Sequence, residues 1–160
     1  MSPQTNIVLV DDDRDDIEVA LRAAHRAQLP VSITVFQDGR EVLQALGVDT
    51  HGEGAARATL RPHAVFLDLR MPRIDGWEIL TRLRASPQTR DIPVIIQSWS
   101  NRQEDIERSY SLGANSFITK RLTATNPGFY FVDAVRYWSG LNQTPYSAPT
   151  DSARYTASRL

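Results

Sequence analysis

The chain has no cysteine, which excludes disulfides, thiolate metal sites and cysteine nucleophiles. It has no excess of one charge sign: the formal net charge is −1, leaving no broad basic field for nucleic acid or an anionic membrane. No apolar run approaches the roughly 18 residues that a membrane helix needs. The opening residues MSPQTN lack the basic and apolar regions of a secretion signal. Together these absences point to a cytoplasmic chain. Lysine is nearly missing too: of 18 basic residues, Lys120 alone is a lysine. What is present is ordinary globular material, 160 residues at 41% hydrophobic content. That is enough for one domain with a core and too little for two.

The organising stretch is Ala64 to Gly76, AVFLDLRMPRIDG. Four apolar residues run straight into Asp68. This is the pattern of a buried parallel strand whose last side chain emerges at the carboxyl end of a sheet, where open α/β folds place ligand chemistry. Met71, Pro72 and Gly76 then turn the chain into a helix beginning at Trp77. An isolated acid at such a place usually caps a loop, so the weight of Asp68 depends on what converges with it.

The rest of the chain alternates. Asn6–Val10 reads as a strand ending in Asp11, Asp12 and Asp13, with Asp13 as N-cap of a first helix whose core stripe is Ile17, Ala20, Leu21 and Ala24. Val31–Phe36 is a second strand. Asp38 and Gly39 turn into a helix with Val42, Leu43 and Leu46 inward. Gly47 to Pro62 is a long loop, read as a contact loop or local disorder. After the third strand and its helix, Val94–Gln97 is a strand ending at Ser98, and Gln103–Leu112 is a helix closed by Gly113. Asn115–Ile118 is a strand leading to Lys120, and Asn126 and Pro127 open a last helix that ends near Gly140. These alternations predict an α/β, doubly wound, five-stranded parallel sheet of order 2-1-3-4-5, flavodoxin-like. Residues 1–142 form the domain, and 143–160 read as a flexible tail.

In that order strands 1 and 3 are neighbours. Asp11 and Asp12 then face Asp68 across one cleft, where three carboxylates raise one another's pKa. A hard cation such as Mg²⁺ resolves that repulsion with oxygen ligands. Strand ends four and five add the Ser98 hydroxyl and the Lys120 ammonium, a mobile point charge suited to phosphate. Each group alone has an ordinary structural explanation; four consecutive strand ends carrying them in this order do not. They point to a phosphoryl-accepting carboxylate.

VLVDDD, FLDLRMPRIDGWEIL, PVIIQSWS and GANSFITK together resemble the signatures of the response-regulator receiver domain, the CheY-like fold, over about residues 5 to 141. The long loop and the stretch NRQEDIERSYSLGANSFITK resemble the single-domain regulators that partner phytochromes. The resemblance implies that Asp68 accepts phosphate from a sensor histidine kinase. It implies that Asp12 and Asp68 bind Mg²⁺ directly, with Asp11 through water and Arg70 through its backbone carbonyl. Ser98 and Lys120 would grip the phosphoryl oxygens, and Phe117 would be the aromatic switch. Three positions depart from the family pattern: Trp99 where a small residue is usual, Arg121 in place of a cis-bonded proline, and the long cation Arg70 two past Asp68.

The last helix is apolar on more than one side, through Phe131, Tyr137 and Trp138 among others. With Ile106 and Tyr110 on helix 4 it suggests a two-fold homodimer through helix 4, strand 5 and helix 5. Two other readings compete. A haloacid-dehalogenase-like phosphatase also uses a strand-end Asp, and Asp11-Asp12-Asp13 gives its D-x-D without the following Thr or Val or the length for a cap domain. A receiver fold used as an unphosphorylated binding module is the other.

Overall fold

The computed structural model describes residues 5–48, 58–121 and 125–145. Strands β1 (Thr5–Val10), β2 (Val31–Phe36), β3 (Ala64–Asp68), β4 (Val94–Ser98) and β5 (Ser116–Thr119) alternate with helices α1 (Arg14–Arg26), α2 (Gly39–Ala45), α3 (Gly76–Ala85), α4 (Gln103–Ser111) and α5 (Phe129–Arg136). The sheet is parallel with order β2-β1-β3-β4-β5, as the alternation predicts.

The period of two along each strand divides the core into two layers. Val8, Val10, Val65, Leu67, Val94 and Ile96 pack with residues of α2 and α3, among them Leu43, Trp77 and Leu80. Ile7, Leu9, Phe66 and Ile95 pack with α1 and α5 through Ile17, Ala20, Phe131 and Val135. The central strands β3 and β4 are buried throughout; β3 is apolar on both faces up to its last residue, Asp68, and β4 up to Gln97. Asp68 and Ser98, the last residues of these strands, are still buried.

Helix signals were sound at α1, where Asp13 Oδ1 accepts from the N–H groups of Asp15 and Asp16. Leu21 is not on its buried stripe, being 36% exposed. α1 lies partly over edge strand β2, whose six residues are all half-buried, so the flank of the stripe stays wet. At α3 the inward position is Leu83; Arg84 instead donates to the carbonyls of Gly113 and Ile92 and to Asn115.

The last helix starts later than Asn126 and Pro127. They form a turn, and Gly128, at φ 83°, is the N-cap. A Cβ at Gly128 would meet Ala23 Cβ at 2.7 Å, so the glycine serves both the left-handed turn and the close seat of α5 on α1. Beyond Arg136 the chain widens into a π-helical turn, Tyr137–Leu141. Phe131 does not belong to an interface. It is fully buried and packs edge-on against Phe66 at 5.1 Å, because the first apolar stripe of α5 is consumed by the sheet. The expectation of a contact loop falls largely on residues 49–57, outside the described residues, as does most of the tail from 146 onward.

Gly76 fixes the start of α3 to the end of β3. A Cβ there would lie 2.2 Å from the Asp68 carbonyl oxygen. Alanine is intrinsically better than glycine inside a helix. Gly76→Ala is nevertheless expected to lower unfolding stability by about 1–3 kcal/mol through overpacking, read from urea denaturation.

Candidate functional site

The carboxyl ends of β1, β3, β4 and β5 meet in a cleft of about 670 Å³, lined by Asp11, Asp12, Asp68, Ser98, Trp99 and Lys120 among others. Asp11, Asp12 and Asp68 each offer an oxygen, and all three oxygens lie within 4.8 Å of one another. An octahedral Mg²⁺ with bonds near 2.1 Å spaces its ligands by about 3 Å for neighbours and about 4.2 Å across. The three acids are therefore near enough to converge on one such ion by moving inward. Asp12 is exposed, while Asp11 and Asp68 are buried.

Lys120 lies in the cleft, as its strand-end position predicts, but held among acids rather than mobile. It is 4% exposed, and its Nζ donates to Asp11 Oδ2 at 2.7 Å and Asp16 Oδ2 at 2.8 Å, with Asp68 Oδ1 at 3.2 Å. The paired acids draw the ammonium inward: an unpaired charge would not tolerate this burial, whereas one surrounded by carboxylates does. The peptide bond joining it to Arg121 is trans, no cis bond occurring among the described residues.

Asp16 joins the site although its sequence position marks it only as an acid in the first turn of α1. Its side chain leans back toward the helix N-terminus, as helical side chains do, and so reaches Lys120. The same Oδ2 accepts the indole N–H of Trp99 at 2.9 Å. Trp99, half exposed, thus bridges the β4–α4 loop to α1 along the rim of the cleft.

Backbone amides hold the acids in place. Asp11 Oδ1 accepts from the N–H of Asp13, and Asp68 Oδ2 accepts from the N–H of Arg70 at 3.1 Å. Ser98 is buried, and its Oγ accepts from the N–H of Ser100. Phe117 is half-buried against the layer that contains α3. Ile106 and Trp138 are half-buried, while Tyr110 and Tyr137 are 50% and 49% exposed.

Burial pushes the Asp68 carboxyl up to about 6; Lys120 opposes the rise and Asp11 adds to it. Burial also raises Asp11, against the pull of Lys120. The expected mutual repulsion is therefore real but secondary to desolvation. Burial works against the charge on Lys120, yet Asp68 and Asp11 outweigh it, so the ammonium is held above its ordinary range. Burial raises the Tyr130 phenol, on α5, to about 12.

This is a doubly wound sheet with an acid cleft and a buried lysine at its topological switch point, the place where such folds bind their ligands. The chain belongs to the response regulator receiver domain family, which it matches over residues 7–126. It is similar to the probable methanogenesis regulatory protein FilR2 of Methanothrix harundinacea, at 32% identity, across 87% of this chain and 86% of that protein. Response regulator Rcp1 of Synechocystis is 27% identical, across 74% of this chain and 78% of its own length. The crystal structure of the phosphorylated cyanobacterial phytochrome response regulator RcpA superposes with a TM-score of 0.78 at 28% identity, covering 90% of this chain and all of that one. No helix among the described residues is long and apolar enough to cross a membrane.

The raised Asp68 value has a stability consequence. In the unfolded chain this carboxyl ionises near pH 4, and in the fold near pH 6. Between those values the folded state holds the extra proton, so stability falls as pH rises from about 4 to about 6 and the deficit persists above. In magnesium-free protein, Asp68→Asn is expected to raise the melting temperature by several degrees at about pH 7.5 and to leave it unchanged near pH 4. Saturating Mg²⁺ is expected to stabilise the native sequence more than the variant. Calorimetric melts across the pH range check both.

Proposed function

We propose that this receiver accepts a phosphoryl group on Asp68 from a sensor histidine kinase and signals through the surface formed by α4, β5 and α5. The observation that supports it is the convergence of Asp11, Asp12 and Asp68 with the chain's one lysine in a single cleft. In this reading an Asp68 carboxylate oxygen attacks the phosphorus of a phosphohistidine. The P–N bond breaks as the P–O bond forms, and the kinase imidazole leaves with the electron pair. Lys120 already touches the acceptor carboxylate, so its charge opposes the charge that arrives. Ser98 supplies the hydroxyl that turns toward the added oxygens, and Phe117 follows it inward. Asp12, Asp68 and the Arg70 carbonyl would hold Mg²⁺ directly and Asp11 through water, and the ion would supply charge that neutralises the carboxylates and the phosphoryl oxygens.

Residues 1–142 act as the receiver unit and 143–160 as an appended tail in a cytoplasmic protein. The phosphoryl group is held stoichiometrically rather than turned over, which sets this reading apart from a phosphatase. Asp13, the second acid of the D-x-D pattern, spends its Oδ1 on the N-cap of α1. RcpA is named for a cyanobacterial phytochrome, and a phytochrome-type kinase is the partner we favour. Ile106, Tyr110, Tyr137 and Trp138 form the face through which two copies pair.

Incubation with Mg²⁺ and acetyl phosphate is expected to add one phosphoryl group per chain, read from the intact mass. Asp68→Asn abolishes the adduct on this reading, and retained labelling in that variant overturns it. Lys120→Ala is expected to keep the fold and bind metal while losing the surface change that accompanies phosphorylation, read from amide exchange over α4 and β5.

A further inference from the structure

One cation at the cleft rim is unexplained by the metal and phosphoryl roles above. Arg70 lines the cleft beside Asp68, and its guanidinium turns away toward α4, where Nη2 lies 3.3 Å from Asp105 Oδ2. The contact is long, and the Arg70 side chain is 63% exposed against 9% for Asp105. A loose ion pair with one exposed partner contributes little and breaks easily. Asp105 has a second partner. The same Oδ2 accepts from Ser100 Oγ at 2.5 Å, and that hydroxyl holds the carboxyl below its ordinary range.

The guanidinium also has a place to pivot. It lies 5.5 Å from the Trp77 ring centroid, and Arg108 of α4 sits 4.0 Å from the same ring. The Trp77 indole N–H donates to Ser109 Oγ, which donates to the Asp105 carbonyl. Asp105, Ser109 and Trp77 therefore join α4 to α3 directly behind Arg70. The backbone of Arg70 is fixed to Asp68 through its N–H, so the side chain alone is free to choose an acceptor.

Phosphorylation of Asp68 adds close to two negative charges and three strong acceptor oxygens within the cleft Arg70 lines. A guanidinium matches such a group in a fork that an isolated carboxylate oxygen at 3.3 Å does not offer. Resting on the reading of Asp68 as phosphoacceptor, we infer that Arg70 exchanges partners, leaving Asp105 for the phosphoryl oxygens, and is thereby both a phosphoryl-binding residue and the link that releases the first turn of α4. The exchange has a direction because Asp105 keeps its hydrogen bond from Ser100 when the arginine departs.

Beryllofluoride with saturating Mg²⁺ is the probe, since it binds a carboxylate oxygen in the shape of a phosphoryl group. Its affinity is read by fluorine NMR for the native sequence, Arg70→Ala, Asp105→Asn and the double variant. Arg70→Ala is expected to weaken binding about tenfold, the worth of a charge-assisted hydrogen bond. Asp105→Asn removes the competitor and is expected to tighten binding severalfold, but only while Arg70 is present; in the Arg70→Ala background it has no effect. Beryllofluoride also speeds amide exchange in residues 103–106 of the native sequence and not of Arg70→Ala. Unchanged affinity in Arg70→Ala overturns the exchange, and that exposed substitution decides the matter even where Asp105→Asn folds poorly. Equal tightening by Asp105→Asn with and without Arg70 overturns it as well, pointing to general charge alone. Asp68→Asn separates the two levels: binding that survives it defeats the phosphoacceptor reading itself, whereas binding lost there but indifferent to Arg70 defeats only the exchange.

Discussion

The site depends on one buried cation. Lys120 follows β5, an edge strand, with three carboxylates as its nearest polar company, and their pairing lets an ammonium lie buried there. The acids are costly because they are dry, and the lysine offsets part of that cost without cancelling it. The cleft is thus left short of positive charge. A divalent cation fits that imbalance, because it supplies the missing positive charge.

The scaffold makes this imbalance possible at modest expense. Parallel strands buried on both faces favour apolar side chains along their length, so polar groups gather toward the strand ends, Asp68 on β3 and Gln97 with Ser98 on β4. Parity along β1 and β3 then decides which helices the acids meet. Asp11 and Asp68 follow Leu9 and Phe66 by two residues and share their side of the sheet, toward α1. That is why an acid from the first turn of α1, Asp16, completes the set around the lysine.

Much of this was legible in the residues. The parallel sheet followed from the alternation of short apolar runs and helical stripes, and the cleft lining of Asp11, Asp12, Asp68, Ser98 and Lys120 followed from the polar residues at four strand ends. What escaped had physical causes. Asp16 is four residues past Asp12 on a helix, and its role depends on how far α1 tilts toward β5, which no local pattern encodes. The burial of Lys120 was hidden because a lysine's reach lets it end in water or in a salt bridge from the same backbone position. Phe131 was misplaced because an all-round apolar helix does not declare which stripe faces the sheet. Gly128 displaced Asn126 and Pro127 as the cap because tertiary closeness to Ala23 outweighed their local preference.

The contact between Gly76 and the Asp68 carbonyl has a mechanical meaning. Strand end and helix start are so close there that the β3–α3 corner has no slack to absorb a rearrangement. Whatever strain an occupied site creates must leave by the opposite bank, through the loop after β4 and the strand beside it. A rigid wall on one side turns a local event into motion in one direction.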